Sequence, residues 1–222
     1  MNTNRNLIKT LSLATCASAL LLASSSQAAV YEVTVNTGSL VGNPSGPFSV
    51  DFQLNYGSGI GNTASVFGFN VSGVGTPSVY VGNPTGSIGS GFTLADNPSG
   101  PFNEIAQQFN PGSTLNFFVN LSQNGTGLTP DAFLFGIDDG STYQIPTTSP
   151  DGITLASLQI NPYLSNPAVT QATFSPFDPQ YDGMTVTVTP VPETSTMAAG
   201  LFVLGFGAAL LFRAIKPITQ VA

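Results

Sequence analysis

The chain has 222 residues, a length for one domain, and carries a formal charge of −7 with only 7% charged residues, against about 25% in an average soluble protein. Its four cations are Arg5, Lys9, Arg213 and Lys216, so no Lys, Arg or His lies between residues 10 and 212. That span cannot neutralise phosphates, form a Schiff base, supply an imidazole base or clamp an anion with arginine, which excludes nucleic acid as a partner and closes most enzyme mechanisms.

The first element is a secretory signal over residues 1–28. Arg5 and Lys9 form its positive region, Leu11 to Ala23 its apolar run, and Ser26 and Ala28 fit the small-residue positions before a cut between Ala28 and Ala29. An uncleaved membrane helix is the alternative. The apolar run continues past Cys16, which argues against a lipoprotein box. Cys16 is the only cysteine, so the exported part has no disulfide, thiol nucleophile or Cys-based zinc site.

The exported domain, 29–190, reads as β by period. Tyr31, Val33 and Val35 alternate with polar residues, as do Phe48, Val50, Phe52 and Leu54, and again Leu115, Phe117, Val119 and Leu121. Shorter candidate strands are 64–72, 78–82, 131–137, 153–160, 168–174 and 183–189, separated by Gly, Asn, Pro and Ser clusters. One segment dissents: Phe102, Ile105, Ala106 and Phe109 stand at helical spacing, which leaves a short helix over 102–109 or an irregular strand. The hexapeptide Asn-Pro-Ser-Gly-Pro-Phe occurs at 43–48 and 97–102 and reads as recurrent turn chemistry rather than a duplicated half-domain. The expected fold class is all-β, an antiparallel, jelly-roll-like sandwich with the Phe residues as its core. A sugar-stacking surface would draw on Tyr56, Tyr80, Tyr143, Tyr163 or Tyr181.

Three chemistries are open to the acids. Asp138-Asp139-Gly140 is the densest patch, and on a tight turn Asp138 and Asp139 are candidate calcium ligands; otherwise Asp before Gly is a solubilising turn residue. A glycan hydrolase needs only two carboxylates, for which Glu104 and Asp138 are the residues to test, whereas Glu32 has no visible Asp partner. No cofactor other than calcium is expected, and no catalytic residue is assigned. Asn70-Val-Ser72, Asn120-Leu-Ser122 and Asn124-Gly-Thr126 fit the N-glycosylation pattern.

The last element, 191–222, has three parts. Val191-Pro192-Glu193-Thr194-Ser195-Thr196 precedes an apolar run, Met197 to Phe212, and a basic tail, 213–222, begins with Arg213 and Lys216. A helix of that run is about 24 Å long, at the short end for a bilayer, and snorkelling of the cations extends its reach. The cations anchor the topology with the tail in the cytoplasm and the domain outside. A buried helix of a soluble core is the alternative, against which the polarity switch at Thr196 counts. This tripartite end resembles the PEP-CTERM sorting signal, with Val191, Pro192, Glu193, Ser195 and Thr196 matching its usual core and Thr194 replacing a Pro.

The resemblance implies a substrate of an exosortase in an exopolysaccharide-making bacterium: exported through the Sec translocon, trimmed by signal peptidase, held in the inner membrane by the C-terminal helix, then cut near Pro192 and Glu193. The middle also resembles uncharacterised β-rich members of that group through 31–40, 50–55 and 115–122. The expected role is that of a non-catalytic surface or matrix protein associated with exopolysaccharide. The alternatives are a calcium-assisted carbohydrate-binding module and, further off, a secreted glycan hydrolase.

Overall fold

The computed structural model describes residues 28–58, 61–70, 77–96, 100–122, 128–141, 144–161 and 169–192. They form twelve strands: β1 Ala28–Asn36, β2 Phe48–Asn55, β3 Thr63–Phe67, β4 Pro77–Val81, β5 Thr85–Ser87, β6 Gly91–Ala95, β7 Phe102–Phe109, β8 Thr114–Ser122, β9 Asp131–Asp138, β10 Ala156–Ile160, β11 Val169–Thr173 and β12 Val186–Val191. All pairings are antiparallel and make two six-stranded sheets. Sheet A has the order β12-β1-β8-β3-β6-β5, and sheet B the order β11-β10-β9-β2-β7-β4. The expectation of an all-β, two-sheet, sandwich-like domain holds. Among the described residues no helix is long and apolar enough to cross a membrane, and the apolar runs before Ala28 and after Thr196 lie outside them.

Alternation decides which side chains enter the core. Tyr31, Val33 and Val35 on β1 and Leu115, Phe117, Val119 and Leu121 on β8 face inward from sheet A. Val50, Phe52 and Leu54 on β2 and Phe133, Phe135 and Ile137 on β9 meet them from sheet B. Phe52 is the hub. Its ring lies 5.2 Å from those of Phe92, Phe117 and Phe135 and 5.5 Å from that of Phe69, so rings of both sheets lock edge-to-face across the interior.

The 102–109 segment is a strand, not a helix. It pairs with β2 over its whole length, from Phe48↔Phe109 to Asn55↔Phe102, and with β4 on its other side. Its inward positions are Asn103, Ile105, Gln107 and Phe109, all buried. Two polar residues on the core face broke the apolar alternation, while the outward but buried Ala106 supplied the false helical spacing. The Asn103 amide pays its way by bonding loop backbone: its Oδ1 accepts from the Asn83 N–H at 3.1 Å and its Nδ2 donates to the Ala95 carbonyl. β5 and β6 are likewise strands that the spacing of residues did not announce.

The expectation that the Phe residues are core is not met everywhere: Phe67 is 41% exposed on the outer face of sheet A with the half-buried Phe118 opposite it, and Phe177 is 64% exposed after β11. Conversely Tyr181, a candidate surface tyrosine, is buried in a 3-10 turn at Pro179–Tyr181 and packs edge-on to Phe48. Both copies of the repeated hexapeptide lead into strands, β2 and β7, which pair with each other.

Candidate functional site

The outer face of sheet B collects acids that stand far apart in sequence. Asp51 on β2 points outward opposite Ala106 of β7 and Gly136 of β9, two small neighbours that leave space beside it. One step along, Glu104 of β7 lies opposite Gln53, and Asp138 of β9 lies opposite Ser49. Glu104 and Asp138 therefore flank Asp51 on opposite diagonals. Asp51 is only 2% exposed. Its Oδ2 accepts from Gln53 Nε2 at 3.0 Å and from Gln144 Nε2.

The electrostatics follow from burial without cations. Burial raises the Asp51 carboxyl, against hydrogen bonds from Gln53, Gln144 and Glu104 that lower it. Burial, then repulsion from Asp51 and Asp138, pushes Glu104 up to about 7. Burial, then repulsion from Asp51 and Asp139, pushes Asp138 up to about 7 as well. Oδ1 of Asp51 and Oδ1 of Asp138 are buried without a hydrogen-bond donor. All three carboxyls are raised because the described domain has no group of opposite sign to hold them ionised, and for Glu104 and Asp138 the rise reaches about 7.

Asp138 and Asp139 have different surroundings. Asp138 joins the trio, whereas Asp139 Oδ1 accepts from the Ser141 N–H at 2.9 Å and its hydroxyl at 2.6 Å, and Oδ2 from the Tyr181 hydroxyl at 3.3 Å. That is the geometry of a turn closed by its own aspartate. Among the described residues no group of three or more acids is disposed to hold a metal ion. Glu32 stands apart on β1, opposite Phe118 of β8 and Thr189 of β12, on the other sheet.

Two further acids tie loops at one end of the sandwich. Asp131 accepts from the Gly57 N–H and from Asn62 Nδ2, both at 2.5 Å, and Asp96 accepts from the Asn62 N–H at 2.7 Å. Burial, then the neighbouring Asp131 charge, pushes Asp96 up to about 6 despite the Asn62 hydrogen bond. Asp151 is the opposite case. Burial alone would raise it, but donors from the Ser149 and Thr154 hydroxyls and the Ile153 and Thr154 amides bring it down to about 2. It forms one wall of a groove of about 250 Å³ over β9, β10 and β11, with Ser157, Gln159, Thr170 and Phe174.

The predicted processing sites lie at the two ends of the described domain. Ala28 and Ala29 open β1, opposite Ser122 and Leu121. Val191 closes β12 opposite Val30, and Pro192 is the last described residue. Glu193, Ser195, Thr196, Arg213 and Lys216 lie outside the described residues, as do Cys16, Asn124, Tyr143 and Tyr163. Of the glycosylation-pattern residues, Asn70 uses its Oδ1 to accept the Asn116 N–H at 2.7 Å, and Asn120 sits on the outer face of β8. Comparison with models of protein families, with curated proteins and with solved structures produced no match.

Proposed function

We propose that the chain is an exported bacterial surface or extracellular-matrix protein, sorted by an exosortase through a PEP-CTERM-like signal and serving a structural or adhesive role beside exopolysaccharide, without catalysis of its own. One observation carries the reading: Val30 pairs with Val191, so the first and last strands are neighbours and each leaves the sheet within two residues of a predicted cut. The folded domain thereby spans the segment that double processing would release. Partners under this reading are the Sec translocon, signal peptidase, the exosortase and the inner membrane. The finer description of the sandwich as jelly-roll-like draws support from its strand order, 1-8-3-6 in one sheet and 2-7-4 in the other. Intact mass of the protein from medium and from membranes of the native host tests the reading. A species from Ala29 to near Glu193 supports it; retention of Met197 to Ala222 in every fraction overturns the sorting step.

A calcium-assisted carbohydrate-binding module is the second reading, favoured by the buried, donor-less oxygens of Asp51 and Asp138. In that reading calcium relieves the repulsion that protonation otherwise relieves, with Asp138 as the ligand and Asp139 spent on its turn. A thermal midpoint that calcium raises at pH 8, where the acids ionise, supports it; an unchanged midpoint removes it. The hydrolase reading has Glu104 and Asp138 near each other, but their partner Asp51 is sealed from any substrate.

A further inference from the structure

The outer face of sheet A holds an aromatic pair that the core does not use. Phe67 of β3 and Phe118 of β8 stand directly opposite each other, their rings 5.6 Å apart and 20° from parallel. Phe67 is 41% exposed. Gly68 lies beside the pair with φ +72°, and a Cβ there would come within 2.8 Å of the Phe118 ring. Apart from Glu32, the described face beside the pair is polar and uncharged. Ser65 and Thr93 share a hydrogen bond at 2.9 Å, and the buried side-chain oxygen of Asn120, two residues from Phe118, has no donor among the described residues. Glu32, opposite Phe118, is the one acid on this face among the described residues.

We infer that this face is a stacking platform for a neutral polysaccharide. Flat, exposed rings take up the C–H faces of sugar rings, and hydroxyl and amide groups beside them exchange hydrogen bonds with sugar hydroxyls. Charge selects among occupants. The domain has acids and no cation, so a second copy of the chain, a nucleic acid or an acidic glycan meets only repulsion, whereas an uncharged chain meets none. The inference rests on the matrix reading for its setting and gives that reading a ligand class; glycan retention and C-terminal processing fail independently.

The test is affinity electrophoresis of the full-length chain in mild detergent, through native gels cast with soluble barley β-glucan, dextran, galactomannan or, as the acidic comparison, polygalacturonate. At least one neutral glycan should retard the wild type, Phe67→Ala and Phe118→Ala should weaken retention roughly three- to tenfold, and Phe67→Tyr should keep it. Phe177→Ala, an exposed Phe elsewhere, should migrate as wild type. Circular dichroism of each variant separates lost stacking from lost folding. Retardation by none of the neutral glycans, by polygalacturonate alone, or with undiminished strength in folded Phe67→Ala overturns the inference.

Discussion

Replacing Glu104 by Gln should stabilise the protein at neutral pH and remove part of its pH dependence. Glu104 is raised from 4.5 to about 7 in the folded chain, so the folded state holds a proton that the unfolded state has released across that interval. Stability from this group is full below about 4.5 and falls as pH rises towards 7, the reverse of a salt-bridged carboxylate. At 1.36 kcal/mol per pH unit the shift corresponds to at most about 3 kcal/mol. Glu104 is half-buried on the outer face of the sheet, and solvent screening brings this to the order of 1 kcal/mol. Asp138, raised from 3.8 to about 7, and Asp96, raised to about 6, slope the same way, as does Asp51. Asp151, lowered to about 2, gives stability that disappears only below about 4, outside the interval. With no Trp in the chain, far-UV circular dichroism is the probe for urea unfolding. At a urea slope of about 2 kcal/mol per molar, the wild-type midpoint should drop by about 1 M between pH 5 and pH 8. Glu104→Gln should match wild type at pH 5 and exceed it by about 0.5 M at pH 8. A wild-type midpoint that stays level or rises over this range, or a Gln variant that is weaker at pH 8, refutes the account of a raised Glu104 carboxyl.

Two other substitutions probe the frame. Phe52→Ala removes the ring that joins both sheets and should destabilise by about 3–5 kcal/mol, read as a lowered denaturant midpoint with an unchanged slope. Asp151→Ala strips four donors in the 149–154 turn of their acceptor and should cost about 1–2 kcal/mol at pH 7. That loss should shrink as pH falls from about 4 towards 2 and the wild-type carboxyl protonates; a difference that stays constant down to pH 2 would show that the charge plays no part.

Strict alternation on a pure apolar face marks β1, β2 and β8 in the sequence, and the shorter candidate segments fall on β3, β4 and β9 to β12. β7 stays open between helix and strand because Asn103 and Gln107 occupy two of its four inward places, and Asn103 is there to bond the backbone of Asn83 and Ala95, contacts that periodicity does not show. β6 escaped because Phe92 and Leu94, though alternating, sit in a stretch punctuated by Gly86, Gly89 and Gly91. The exposed Phe67 was legible in principle: if Ala64 and Val66 point inward, parity sends Phe67 out. The acid trio was not legible at all. Glu104 and Asp138 stand in the sequence as hydrolase candidates with no sign of Asp51, and only the placing of β2 between β7 and β9 brings both to it.

The β1–β12 ladder has a mechanical meaning. β12 is an edge strand held by β1 alone, and its last rung, Val30↔Val191, is the one next to the chain's exit. A pull on Pro192 directed out of the sheet loads that rung first, then Glu32↔Thr189, then Thr34↔Thr187, each in turn. Such a strand peels like a zipper at low force; only a pull along the strand would share the load over every rung at once. The sandwich is thus strong across its ring-locked interior and weak at the seam where its tail begins, so tension on the tail would open β12 before it disturbed Phe52.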